Sequence, residues 1–143
     1  MLATIQSLTD LTAGDLMSRD LVSVSREMPM CEAGRLLLLH QISGLPVVEA
    51  DGTCVGILST TDFLRWQLFN GEQFLTGKVE EYMTIDPVTA TIDTPLVELA
   101  RRMADVPIHR ILVVDRLGRL VGIISSIDVL AGIVCAGREE AQT

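Results

Sequence analysis

The first half of the chain reappears in the second half. A constant offset of 66 residues, with no gap, lays Asp15-Leu16-Met17-Ser18-Arg19-Asp20 on Glu81-Tyr82-Met83-Thr84-Ile85-Asp86 and Met28-Pro29 on Thr94-Pro95. It also lays Val47-Val48-Glu49 on Val113-Val114-Asp115, and Gly52 and Gly56 on Gly118 and Gly122. The longest match sets Val55-Gly56-Ile57-Leu58-Ser59-Thr60-Thr61-Asp62 against Val121-Gly122-Ile123-Ile124-Ser125-Ser126-Ile127-Asp128. Self-similarity at one fixed period marks two copies of one supersecondary unit that bury their apolar faces together.

Within each copy the pattern changes period. After the proline, apolar residues recur at helical spacing, as Met30, Ala33, Gly34 and Leu37 and again as Leu96, Leu99, Ala100 and Met103, with Pro near the first turn. Leu45 to Glu49 and Ile111 to Asp115 then read as buried strands, followed by turns at Asp51-Gly52 and Leu117-Gly118 and a second strand, making a hairpin. Each second strand ends in Ser-Thr-Thr-Asp or Ser-Ser-Ile-Asp, residue types that start helices, and a helix follows through Phe63, Leu64 and Trp66 or Val129, Leu130 and Ile133. A short extended piece, Leu21 to Val24 or Pro87 to Ala90, precedes the first helix. The expected fold is therefore α/β (α+β): two tandem β-α-β-β-α units over residues 10–69 and 79–137, with a linker at 70–78 containing Gly71 and Gly77. A unit of about 60 residues is marginal alone, so sheet-to-sheet packing with pseudo-twofold symmetry is expected.

The aromatic content is 3 % against 48 % hydrophobic residues, so aliphatic side chains must fill the interior. A formal charge of −8, with no basic run longer than Arg101-Arg102, argues against nucleic acid as a partner. No apolar run approaches the roughly 20 residues that span a bilayer, and the N-terminus lacks a basic-then-apolar leader, so no membrane association and a cytoplasmic location are expected. Cys31, Cys54 and Cys135 are far apart and only His40 and His109 accompany them, which is not metal-ligand spacing. No nucleophile with a neighbouring base, no paired carboxylates and no Gly-rich phosphate loop with Lys is present, so no catalytic residue is assigned and no cofactor is required.

Gly44-Leu45-Pro46-Val47-Val48-Glu49, Gly56-Ile57-Leu58-Ser59-Thr60-Thr61-Asp62 and their second-copy equivalents, with Ile108-His109-Arg110-Ile111-Leu112-Val113-Val114-Asp115, resemble a pair of cystathionine β-synthase (CBS) domains, the arrangement called a Bateman module. The resemblance covers about residues 10 to 136. It implies a regulatory module that takes AMP, ADP, ATP or S-adenosylmethionine in clefts between the copies, acts as an energy or metabolite sensor, and pairs into a flat homodimer. The Ile108-His109-Arg110 stretch is similar to the nucleotide-sensing subunit of AMP-activated protein kinase, in which a His-Arg pair contacts phosphate.

The resemblance places ribose recognition on Asp62 and Asp128, since one carboxylate can accept from two vicinal hydroxyls. Each Asp could instead serve the dipole of the helix it starts. Ser59 and Ser125 stand where a hydroxyl and free backbone N–H groups would meet an anion, or would simply cap the helix. Thr61 adds a hydroxyl that Ile127 lacks. An Arg at position 110 can engage phosphate oxygens bidentately and His109 can donate one bond, where the first copy has Ser43 and Gly44. By analogy with the kinase subunit, Asp62, Ser59 and Thr61 group with His109 and Arg110 as the better site. The bland alternatives are a surface ion pair for Arg110 and strand-end packing for His109.

Gly56 and Gly122 indicate close approach of a ligand or of another backbone. His40 is expected to cap the C-terminus of the first helix, while Phe63 and Trp66 are expected to form core or a dimer face rather than an adenine stack. The regulated target would be a separate effector protein. The competing reading is a structural dimerisation module with empty clefts.

Overall fold

The computed structural model describes residues 8–70, 77–106 and 108–142. It is a mixed α/β structure with two three-stranded sheets. A 3-10 turn at Leu8–Asp10 leads into α1 (Ala13–Leu16), α2 (Met30–His40), β1 (Gly44–Val48), β2 (Cys54–Ser59) and α3 (Thr60–Asn70). Then follow α4 (Val79–Tyr82), β3 (Thr84–Ile85), β4 (Thr89–Ala90), α5 (Leu96–Asp105), β5 (Arg110–Val114), β6 (Leu120–Ser125) and α6 (Ser126–Gln142). Most of the expected linker, residues 71–76, lies outside the described residues.

The two compact units are not the two sequence copies. One unit comprises Val22–Pro87 with Gly118–Leu120; the other comprises the N-terminal segment to Leu21 with Val88–Leu117 and Val121 onward. Each copy's leading segment thus completes the unit built on the other copy's sheet. In the Val22–Pro87 unit, Met30 N–H donates to Gly77 O at 2.8 Å, Val79 N–H to Met28 O at 2.9 Å and Glu80 N–H to Arg26 O at 3.0 Å. Offset by 66, the other unit repeats them: Leu96 N–H to Leu11 O at 2.9 Å, Ala13 N–H to Thr94 O at 2.8 Å and Gly14 N–H to Ile92 O at 2.9 Å.

The sheets obey the same rule. In one, β1 and β2 form the antiparallel hairpin, β3 pairs with β2 through Ile57↔Thr84, and Val24 makes a parallel bridge to Val47. In the other, the order is β4-β5-β6, Ala90 pairs in parallel with Val113, and Ser18 bridges Ile123. The extended pieces expected before α2 and α5 therefore become edge pairings of only one or two residues. Pro46 tolerates its place in β1 because its carbonyl faces that edge, accepting Val24 N–H at 3.0 Å, where its missing donor interrupts no long ladder.

Gly52 and Gly118 take φ of +90° and +79°, the left-handed turn conformation the hairpins require. The α2 C-cap is Gln41, left-handed at φ 54°, and not His40, which ends the helix on the surface. Gln41 N–H satisfies the terminal carbonyls of Leu37 and Leu38.

Each unit has its own core. Met30, Ala33 and Leu37 of α2 pack on Leu45, Val47 and Leu58, closed by Trp66 and Val79. Leu96 and Leu99 of α5 pack on Ile111, Val113 and Ile124, closed by Leu11, Ala13 and Val129. Leu45 and Val47, and Ile111 and Val113, share the face of each strand that meets its own core, while the residues between them, Pro46 and Leu112, are buried on the opposite face.

Gly56 lets β3 come close: a Cβ there would lie 2.8 Å from the Thr84 carbonyl oxygen and 2.9 Å from Met83 Sδ. At Gly122 the obstruction is the buried Met17 side chain, with Cγ at 2.9 Å and Cβ at 3.1 Å, so the Met17 segment itself must shift. Gly56→Ala and Gly122→Ala should each lower unfolding free energy by about 1–3 kcal/mol, as read by urea titration of each variant.

Candidate functional site

In each unit a strand runs directly into a helix at a Ser-x-x-Asp corner. Asp62 Oδ2 accepts Ser59 N–H at 2.7 Å and Ser59 Oγ–H at 3.1 Å. Asp128 Oδ2 accepts Ser125 N–H at 2.8 Å, while Asp128 N–H donates to Ser125 Oγ at 3.2 Å. The serine amides are therefore bonded to the aspartates three residues on, because a carboxylate in the first helical turn is the strongest acceptor within their reach.

The segment ahead of β1 or β5 closes each corner from the other side. Thr60 N–H donates to Ser43 O at 3.1 Å, and Ser126 N–H donates to His109 O at 2.9 Å. His109 and Arg110 thus stand beside the Ser125–Asp128 corner of their own unit, while Asp62, Ser59 and Thr61 belong to the other unit. His109 is exposed and Arg110 half-buried; burial pulls the Arg110 guanidinium down from its ordinary value, and it stays charged at neutral pH. Thr61 and its counterpart Ile127 are both exposed, so this position offers a hydroxyl at one corner and a methyl-rich surface at the other.

The corners differ in what surrounds the carboxylate. Asp62 is only 2 % exposed, and Arg65 Nη1 lies 3.5 Å from its Oδ1. At the Asp128 corner Ala131 replaces Arg65, and Asp128 is half-buried. Asp128 borders a groove of about 330 Å³ with Ala131, Gly132, Cys135, Leu11 and Leu16. Trp66 stands where the second copy has Gly132, and it packs edge-on against Tyr82 at 6.4 Å between ring centroids. A Cβ on Gly77 would lie 2.7 Å from its indole nitrogen. Trp66 is thus core and Phe63 packs beside it, one of the two alternatives the sequence left open. Sequence reasoning missed Arg65, whose only signal was its place three residues after Asp62, and the leading-segment residues Leu11 and Leu16 at the Asp128 groove.

Among the described residues no cluster of three His, Cys, Asp or Glu side chains could hold a metal, and no helix is long and apolar enough to cross a membrane.

With this geometry in hand, the CBS domain family profile matches residues 13–68 and 79–134. The chain belongs to the CBS-domain family. It is 28 % identical to the CBS domain-containing protein CBSX2, chloroplastic, of Arabidopsis thaliana, over 90 % of this chain and 66 % of that protein. It is 31 % identical to a homoserine O-acetyltransferase of Methanococcoides burtonii, over 85 % of this chain but 24 % of that protein. The CBS pair thus spans about a quarter of such enzymes, whose names describe much longer proteins. Among solved structures, CBSX2 in complex with AMP superimposes with a TM-score of 0.79 at 29 % identity, covering 87 % of this chain and 96 % of that one. The CBS domain pair of protein MJ0100, in complex with 5′-methylthioadenosine and S-adenosyl-L-methionine, gives 0.78 at 29 % identity over 89 % and 97 %.

The caps carry a measurable share of stability. Asp128→Ala should lower unfolding free energy by about 0.5–2 kcal/mol, and Asp62→Ala by more than Asp128→Ala, because three donors and deeper burial converge on Asp62. Denaturant midpoints of the two variants check that order.

Proposed function

We propose that this CBS pair is a non-catalytic regulatory module whose Ser-x-x-Asp corners bind an adenosine-containing ligand, of the class AMP, ADP, ATP or S-adenosylmethionine. The observation that carries the reading is a carboxylate held at a strand-to-helix junction in both units, at the positions where the family reads ribose. Each aspartate uses Oδ2 for its cap; Asp128 Oδ1 is left for a further donor, and Asp62 Oδ1 meets only the long, single contact from Arg65 Nη1 at 3.5 Å, so a ribose hydroxyl can be taken without dismantling the helix start. The similar structures with AMP, or with 5′-methylthioadenosine and S-adenosyl-L-methionine, support the adenosyl class. Ser59, Thr61, Asp62, His109, Arg110, Ser125 and Asp128 are the proposed contacts, Arg110 meeting phosphate.

A ligand regulates only through unequal affinity for two arrangements of the protein, and the effect would be delivered to a separate effector chain. A second copy of this chain is the proposed cover for the exposed apolar residues Leu38, Leu39, Leu64 and Leu68 in one unit and Ile127, Leu130 and Val134 in the other. Sedimentation equilibrium should give a dimer that Leu64→Asp combined with Leu130→Asp converts to a monomer; an unsubstituted monomer would remove the dimer from the account.

Isothermal titration with AMP, ATP and S-adenosylmethionine tests the adenosyl reading. Binding of at least one ligand is expected, weakened about tenfold or more by loss of the aspartate it uses. Arg110→Ala, measured beside Asp62→Ala and Asp128→Ala, assigns the arginine to one carboxylate or the other. Absence of heat with all three ligands, with the melting temperature unmoved, would leave a structural dimerisation module.

A further inference from the structure

We infer that Arg65 makes the Asp62 corner select adenosyl ligands that carry phosphate over uncharged nucleosides; the inference rests on that corner binding an adenosyl ligand at all. Asp62 is almost wholly buried, and its Oδ2 is taken by the Ser59 amide and hydroxyl. Only Oδ1 remains for a ribose hydroxyl, and Arg65 Nη1 sits 3.5 Å from that atom. The arginine side chain is 55 % exposed and touches the carboxylate through one nitrogen at the long end of hydrogen-bonding range, so it can swing away.

An uncharged nucleoside that takes Oδ1 displaces the guanidinium and offers it nothing in return. A nucleotide displaces it too, but presents phosphate oxygens that match the guanidinium fork in charge and geometry. The exchange is then favourable for the anion and unfavourable for the neutral ligand.

The internal repeat supplies an independent argument. The Asp128 corner has His109 and Arg110 beside it and Ala131 in place of Arg65; the Asp62 corner has Ser43 and Gly44 there and Arg65 on the helix. Each corner therefore carries one arginine from its own unit, delivered from a different position of the same scaffold. No repeat symmetry imposes Arg65. It restores, at the Asp62 corner, the charge that Ser43 and Gly44 leave out.

The test compares AMP with adenosine by calorimetry on the full chain carrying Asp128→Asn, an isosteric change that leaves Asp62 as the intact corner. AMP should bind more tightly than adenosine by about tenfold, Arg65→Gln should bring the two affinities nearly together, and Arg65→Lys should keep part of the preference. Arg65 reaches Asp62 through one long contact, so Arg65→Gln should lower the melting temperature by only a few degrees and leave the chain folded at the temperature of the titration. An AMP preference unchanged by Arg65→Gln overturns the inference while leaving adenosyl binding intact. No heat from either ligand, in the parent or in the unsubstituted chain, overturns the adenosyl reading and this inference with it.

Discussion

The fold depends on the exchange of leading segments. A copy of about 60 residues is marginal alone. Each unit is closed instead by residues from the start of the opposite copy, with Leu11 and Ala13 in one core and Val79 in the other. Backbone hydrogen bonds to the turns before α2 and α5 hold these segments, so their hold does not depend on particular side chains. Truncating either leading segment would open a core made chiefly by the other half of the sequence.

On that frame, one carboxylate per unit caps a helix start and is the proposed ribose contact. Its position in the first helical turn satisfies the serine amide that ends the preceding strand. The same bond fixes the orientation of the second carboxylate oxygen, so a ribose would meet a group already ordered by folding. The identical Ser-x-x-Asp backbone carries different neighbours in the two units: Arg65 and Trp66 in one, Ala131 and Gly132 in the other. The repeat conserves the corner and varies its access, which is how one scaffold can hold two unequal sites.

Much of this was legible in the residues. The 66-residue offset marked two copies of one β-α-β-β-α pattern, though not that each compact unit takes its leading segment from the other copy, and Met30, Ala33 and Leu37 read as one helical face that the structure buries. Gly52 and Gly118 marked turns that do adopt positive φ. What escaped is what local pattern does not encode. The helices α1 and α4 have four residues each, too short for a period to register. Whether Val79 joins the core of its own copy or of the other is a matter of long-range pairing. Arg65 went unread because an arginine on an exposed helix is common, and its meaning comes only from the burial of Asp62.

The most direct test of the central claim, that the two carboxylate corners are where an adenosyl ligand binds, is chemical-shift mapping of the 15N-labelled chain titrated with AMP. The account predicts the largest amide shifts at Ser59 to Asp62 and Ser125 to Asp128, with the hairpin turns at Gly52 and Gly118 unmoved. Saturable shifts centred on the turns or elsewhere, with both corners unmoved, would contradict it.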